Sequence, residues 1–368
     1  MGKVNFGVIG VRGIGKKHIE CIKQIEEADL VAIADINETV GKAASEQYHV
    51  EWYVDYKKML ERNDLEAVCV CVPHFLHAPV ALDAINYGKH VLVEKPIAMT
   101  VGEADKMVSA AKKKGVKLGV MYQYRVEPAY SEMKTILDRG DLGEIYRFIM
   151  ESCDLRTQAY YDDAPWRGLW KSSGGGVLIT QSIHHLDLLQ WFLGKPVRLH
   201  GWIATKLHRT EVEDLASALI SFEGGAQGMI HASLIDAPSI TRFEICGDRA
   251  KLLSENGDVK LGVLEPPIRE FIEKSKEVWI HPKYSWVQIT PKARESGYIA
   301  ILRDFTQALL EDREPLIPGR EGIVSLEIVN AIILSHFKGK TVTFPINRNE
   351  YARLIQKLQT GQLSQSAS

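Results

Sequence analysis

The sequence predicts an α/β protein of two domains: a parallel sheet covered by helices, then an α+β domain on a large open, mostly antiparallel sheet. Three observations predict it. The first third alternates short apolar runs with helix-period segments. After about Tyr124 the runs lengthen and follow one another without helices, parted by turn sequences such as Glu223-Gly224-Gly225 and Glu255-Asn256-Gly257-Asp258. And 368 residues are enough for two cores. The expected boundaries are 1–123 for the first domain, 124–345 for the second and 346–368 for a C-terminal helix and frayed tail, GQLSQSAS.

In order, Val4–Ile9 is a strand ending in glycines, and Lys16–Glu26 carries Ile19, Ile22 and Ile25 at helical spacing. Leu30–Ala34 is a strand stopped by Asp35, and Val40–Gln47 a helix. Trp52–Val54 is extended, Tyr56–Arg62 helical, and Ala67–Val72 a buried strand ending at Pro73. Pro79–Tyr87 is a helix closed by Gly88, His90–Val93 a strand, Val101–Lys114 a helix stopped by Gly115, and Leu118–Met121 a strand. Continuous apolar strands separated by helices mean a parallel sheet buried on both faces. Beyond Tyr124 the expected strands are Glu144–Cys153, Val197–Lys206, Leu215–Phe222, Ala226–Leu234, Thr241–Cys246 and Lys251–Ser254. The expected helices are Ala129–Arg139, Gly176–Phe192, Ile299–Glu311 and Gly322–Phe337.

Net charge is −2 with both signs interspersed, which gives no footprint for nucleic acid or an anionic membrane. No stretch reaches 18 uncharged apolar residues, so no membrane span is expected. The N-terminus lacks the pattern of a secretory leader. Five cysteines, an odd number without CxxC spacing, read as reduced thiols of a cytoplasmic protein.

GVIGVRGIGKKH follows a strand and opens a helix. Glycines there let the chain turn tightly and let a pyrophosphate meet the helix N-terminus, where unpaired N–H groups favour anions. Gly10 and Gly15 fit the GxGxxG spacing, while Arg12 takes the middle glycine position and Gly13 follows it; Gly10, Arg12, Gly13, Ile14 and Gly15 are the candidate phosphate loop. A tight strand–helix turn without a ligand is the alternative. Asp35 ends the second strand 20 residues after Gly15, where an acid accepts hydrogen bonds from adenosine ribose hydroxyls and repels a 2′-phosphate. Ile36 and Asn37 supply no cation for such a phosphate, so NAD is expected over NADP, with Arg12 the one nearby cation. A helix cap or turn former is the alternative for Asp35.

AVCVCVPHFLHAPVALDAINYGKHVLVEKPIAMT, with the glycine loop before it and GGGVLITQSIHHLDLL after it, resembles the glucose–fructose oxidoreductase/inositol dehydrogenase (Gfo/Idh/MocA) family. GVMYQYR, PWRG and SLEIVNAIILSHFKGKTV extend the resemblance from Val4 to about Pro345. It implies an NAD(P)-dependent oxidoreductase acting on a sugar, cyclitol or similar polyol. It also implies an N-terminal Rossmann domain and a C-terminal open sheet that builds a homodimer or homotetramer. Carried over by motif, Lys95 lies near the nicotinamide ribose and the reacting hydroxyl, with a cis Lys95–Pro96 bond. By the same carry-over Pro73, His74 and His77 line the cofactor, and Glu94, Gln123, Trp166 and Arg167 contact its nicotinamide half or ribose.

In the expected helix Gly176–Phe192, positions 180, 184 and 187 share one side and His185 points about 100° away. The adjacent histidines therefore do not chelate one small ligand. His184 with Asp187 would be half a metal site, but no third ligand stands at a recognisable spacing, so no metal is expected. The family pattern DxxxH matches His184, with Thr180 where the aspartate stands. Threonine hydrogen-bonds but cannot stabilise an imidazolium as an anion does. The relay is truncated, or rebuilt with Gln181, or direct through His184 and Lys95. Oxidising a secondary alcohol needs a base within hydrogen-bond reach and a cation beside the developing alkoxide. His184 is the candidate base and Lys95 the electrostatic partner; a core histidine and a surface lysine are the alternatives. Arg125, Arg156, Tyr160 and Tyr161, with Thr180 and Gln181, are candidate substrate contacts or else surface residues. Trp279 and Trp286, in an aromatic segment outside the repeating strands, are expected at a subunit interface, with stacking on a sugar the alternative, and Lys292 and Arg294 are solvated or meet an anionic substrate group. Two further readings stay open: glycoside cleavage through transient oxidation, and a non-catalytic NAD-binding protein.

Overall fold

The structure is a computed structural model that describes residues 2–364; the last four residues of the expected tail lie outside it. The elements are β1 Val4–Ile9, α1 Ile14–Ile22, β2 Ala28–Ala34, α2 Glu38–Tyr48, β3 Glu51–Tyr53, α3 Tyr56–Leu60, β4 Ala67–Val70, α4 His74–Asn86, β5 His90–Val93, α5 Val101–Lys114 and β6 Leu118–Val120. Then come α6 Pro128–Asp138, β7 Ile145–Leu155, α7 Gln158–Asp162, α8 Trp170–Ser173, α9 Val177–Thr180, α10 Ile183–Leu193, β8 Pro196–Ala204, β9 Leu215–Phe222, β10 Gln227–Ser233, β11 Ile235–Gly247, β12 Ala250–Glu255 and β13 Asp258–Glu265. The chain finishes with α11 Ile268–Lys274, β14 Lys283–Ile289, α12 Gly297–Leu310, α13 Glu321–Lys338, β15 Val342–Thr343 and α14 Arg348–Gln359.

By contact the chain forms two units. Unit 1 comprises Met1–Val126, Lys171–Gly174 and Glu295–Leu326; unit 2 comprises Glu127–Trp170, Gly175–Arg294 and Glu327–Ser368. The expected division near 123 is close to the first crossing. The returns of 171–174 and 295–326 to unit 1 were not expected. The apolar stripe of 295–326 belongs to unit 1's core: Phe305 of α12 lies 6.4 Å from Phe6 of β1.

Unit 1 is a six-stranded sheet in the order β3-β2-β1-β4-β5-β6. Its ladders are all parallel. Strands β4 and β5 are almost wholly buried, as runs covered on both faces must be. Local chemistry sets the helix ends. Asn37 and Asp55 cap α2 and α3 through their side chains. Thr100 and Glu103 form a capping box on α5, and Gly115 closes it in the left-handed conformation at φ 68°. The strand order reverses direction between β1 and β4, and in such sheets ligands bind off the carboxyl ends of the strands.

Unit 2 is a nine-stranded sheet, β14-β13-β12-β11-β7-β10-β9-β8-β15. It is antiparallel except for the β7–β10 pair. Alternation along β9 and β10 buries Ala218, Ile220, Ile230 and Ala232 while Leu219 and Met229 stay exposed as cross-strand neighbours. One face is thus core and the other carries exposed apolar side chains, Trp202 among them. Two expectations are corrected. The segment 277–298 is not outside the strands: β14 pairs with β13 as an edge strand and carries Trp286, while Trp279 is 93% exposed. And the single helix expected over Gly176–Phe192 is two, α9 and α10, broken at Gln181, whose φ of −122° and ψ of −57° leave the helical region.

Candidate active site

The carboxyl ends of the unit 1 strands carry most of the motif residues. After β1, Gly10 takes φ 85°, and a Cβ there would lie 2.5 Å from Cys71 O; a Cβ on Gly15 would lie 1.8 Å from Gly10 O. Both close approaches involve main chain, so only glycine fits. Gly13, at φ 49°, has nothing within 4 Å of a would-be Cβ, leaving an open cradle before the first turn of α1. Arg12 and Ile14 are exposed beside it. Asp35, ending β2, accepts Val11 N–H at 3.0 Å on one carboxylate oxygen and Asn37 N–H at 2.9 Å on the other. Each oxygen keeps a lone pair for a further donor. The loop and the acid are therefore one hydrogen-bonded assembly, and both fit a dinucleotide: N–H groups for phosphate and a fixed carboxylate for ribose hydroxyls.

After β4, Pro73 precedes α4, and His74 donates from Nδ1 to Ser173 O at 3.0 Å. His77 is 1% exposed, with Nδ1 2.6 Å from Pro96 O and Nε2 2.8 Å from Val72 O. After β5, Lys95–Pro96 is cis, as the family pattern implies, and Lys95 is half-buried. Glu94 is 5% exposed and turned inward: one oxygen meets His18 Nε2 at 2.7 Å and the other accepts Lys95 N–H at 3.2 Å. Tyr298 of α12 packs edge-on against His18 at 5.5 Å and accepts from Gln123 Nε2 at 3.4 Å. Burial, and then the charge of Glu94, raise the Tyr298 phenol well above its ordinary pKa, so it stays protonated. Arg125 is 5% exposed and bonds Glu321 at 3.3 Å through both terminal nitrogens.

The remaining candidates lie in unit 2. Gln181, at the break between α9 and α10, accepts from Arg156 at 3.3 Å and donates to Tyr160 Oη at 3.2 Å. Arg167 stacks on the Tyr160 ring at 4.4 Å and donates to Tyr160 O at 2.9 Å; Arg156 lies 5.8 Å from the same ring, and Trp166 lies 5.7 Å from Arg167. Tyr161 is buried between Tyr160 and His208, and burial raises its phenol above the ordinary pKa. Thr180 Oγ1 donates to Gly176 O at 2.8 Å. His184 is 7% exposed on α10. Its neighbour His185 meets Ser152 Oγ at 2.8 Å, and burial lowers its pKa to about 4, which favours the neutral ring.

Sequence reading missed three participants. His18 stands in the quoted GKKH, three residues past Gly15 and so on the buried face of α1; that spacing was a usable signal. Tyr298 gave none, because it joins unit 1 from far along the chain. Glu213 is wholly buried, accepts Leu178 N–H at 3.2 Å, and its main-chain oxygen holds Val177 N–H at 2.9 Å, fixing the start of α9. Burial raises its carboxyl pKa to about 7. Among the described residues one metal-type cluster occurs: Cys153, His231 and Asp236, with ligand atoms within 4.8 Å of one another. Burial and then a hydrogen bond to Asp236 push the Cys153 thiol up to about 12. No described helix is long and apolar enough to cross a membrane.

Comparison with known proteins agrees with this arrangement. Residues 4–122 match "Oxidoreductase family, NAD-binding Rossmann fold", and residues 130–253 match the "GFO/IDH/MocA C-terminal domain", together more than half of the chain. The chain is 26% identical to the myo-inositol 2-dehydrogenase of Thermotoga maritima over 260 residues, 69% of this chain and 75% of that one. It is 25% identical to the scyllo-inositol 2-dehydrogenase (NAD(+)) of Bacillus subtilis over 357 residues, 94% of this chain and 98% of that one. Among solved structures, the WlbA dehydrogenase of Bordetella pertussis in complex with NADH and UDP-GlcNAcA superposes with a TM-score of 0.81 at 28% identity, covering 94% of this chain and 100% of that one.

Proposed function

The chain belongs to the Gfo/Idh/MocA oxidoreductase family, and from that premise we propose that it is an NAD-dependent dehydrogenase or reductase acting on a secondary alcohol or ketone of a sugar, sugar derivative or cyclitol. The observation that carries the reading is the row of groups along one sheet edge. The glycine loop follows β1, Asp35 follows β2, Pro73 follows β4, and Glu94-Lys95 follows β5. An anion-binding loop and a ribose acceptor at one end of that row, and an ammonium at the other, are what a dinucleotide with a reacting alcohol at its nicotinamide end requires. Asp35 disfavours a 2′-phosphate, which supports NAD over NADP.

Bound nicotinamide would supply the hydride acceptor or donor. The chain's own groups handle the proton and the charge. His184 takes the hydroxyl proton, the imidazole being the side chain that ordinarily titrates nearest neutrality. Lys95 lowers the energy of the developing alkoxide as a nearby cation. Thr180 engages Gly176 O, so it does not replace the family's aspartate as an anion. The Arg156–Gln181–Tyr160 chain offers donors and acceptors suited to polyol hydroxyls, with Trp166 and Arg167 beside it. The inositol dehydrogenases and the nucleotide-sugar complex among the relatives set the substrate classes to try.

The test is NADH appearance from NAD across free sugars, inositols, sugar phosphates and nucleotide sugars. With a substrate found, Lys95→Ala and His184→Ala are expected to lose at least about a hundredfold in turnover. Wild-type rates in both variants would overturn the assignment.

A further inference from the structure

We propose that His77 is a positioning residue that holds the Lys95 segment in place. The proposal rests on the role given to Lys95 above, and it reassigns His77 from cofactor contact to strut. His77 stands in the first turn of α4 and is 1% exposed. Its Nδ1 is 2.6 Å from Pro96 O and its Nε2 is 2.8 Å from Val72 O. A carbonyl oxygen only accepts, so a contact is a hydrogen bond only where its ring nitrogen carries a proton, and a neutral ring can make one of the two. Burial works against a second proton on the ring, while the two carbonyls and the charge of Glu94 work for one and Lys95 against. We assign the proton of the neutral ring to Nδ1, which makes the shorter contact, to Pro96.

The consequence is an anchor on each side of Lys95. On one side, Glu94 accepts the Lys95 N–H at 3.2 Å, and Glu94 is itself fixed by His18 at 2.7 Å. On the other, His77 holds the carbonyl of Pro96. The end of β4 and the segment after β5 are neighbours in the sheet, and the ring stands between them, donating to Pro96 O while its unprotonated Nε2 only faces Val72 O. With both nitrogens on main-chain carbonyls, His77 acts through Lys95 and not on a ligand. Misplacing a reacting group by about 1 Å can cost about a hundredfold in rate, which is the scale at stake.

Asn and Gln separate the two contacts, because the amide nitrogen of Asn falls near histidine Nδ1 and that of Gln near Nε2. In turnover of a panel substrate, His77→Ala and His77→Gln are expected to lose about tenfold to a hundredfold in kcat. His77→Asn should remain within about threefold of wild type. In a Lys95→Ala background, His77→Ala should remove nothing further, since its effect passes through that lysine. A second readout needs no substrate: the rate at which acetic anhydride labels Lys95 in the full chain, followed by mass spectrometry. That rate should change in the Ala and Gln variants and hold in Asn. It stands even if the whole panel is inert, so failure of the proposed reaction and failure of the strut are told apart. Should the Ala variant not fold, the Asn and Gln pair decides. Equal behaviour of Asn and Gln, additive losses in the Lys95→Ala background, or unchanged Lys95 labelling in all three variants would overturn the proposal.

Discussion

At Glu213 a carboxyl lies wholly out of water, with backbone N–H groups at the start of α9 pointing at it. Burial outweighs those hydrogen bonds and raises its pKa from 4.5 to about 7. The native state therefore keeps a proton that the unfolded chain has lost between those two values. The favourable contribution is fully present below the unfolded pKa, declines as pH rises through that window, and is gone above about 7. Glu213→Gln stays neutral and keeps an acceptor for Leu178 N–H. Its stability relative to wild type should grow from pH 4.5 to about 7 and then level off, by about 3 kcal/mol at most. Denaturant melts at several pH values check this, and parallel curves for the two proteins would refute it. The same scale shows what a single residue's letter conceals. Glu94 reads as a cofactor contact from its place in EKP, yet its carboxylate is turned to His18; nothing in the spacing of a strand end tells which way the next side chain faces.

Element by element, the parallel sheet was legible because its strands are uninterrupted apolar runs and its helices carry their own caps, Thr100 with Glu103 and Gly115 on α5 being the plainest. The break between α9 and α10 was not. Periodicity runs through Gln181 without a glycine or proline to mark the interruption, and the Gln181 side chain is engaged by Arg156 and Tyr160, residues distant in sequence. Strand β14 was hidden because it is an edge strand exposed on most of its length, so it lacks the buried alternation that announces the others. The loop after β1 was legible for a stereochemical reason, and it carries a sharp expectation. Gly15→Ala would place a methyl 1.8 Å from Gly10 O, so the turn must open. Affinity for NADH should fall by at least about tenfold, the equivalent of about 1.4 kcal/mol. Calorimetric titration measures it, and an unchanged affinity would mean that the loop does not hold the phosphates.

For the whole molecule, the two fold types were readable but the course of the chain between them was not. Residues 295–326 follow β14 of the nine-stranded sheet in sequence and yet complete unit 1, supplying Phe305 to its core and Tyr298 to the His18–Glu94 pair. Such a return leaves no compositional trace, because a helix packed on its own unit and one packed on an earlier unit need the same apolar stripe. The proposed determinants of the cofactor are local in sequence, and the rest of the account depends on them: a glycine loop and the Asp35 carboxylate joined through the Val11 N–H. The measurement that bears on this most directly is a pair of calorimetric titrations of the full chain, one with NADH and one with NADPH. The account predicts NADH bound at least about tenfold more tightly, because Asp35 must repel a 2′-phosphate. Tighter binding of NADPH, or no binding of either, would contradict it.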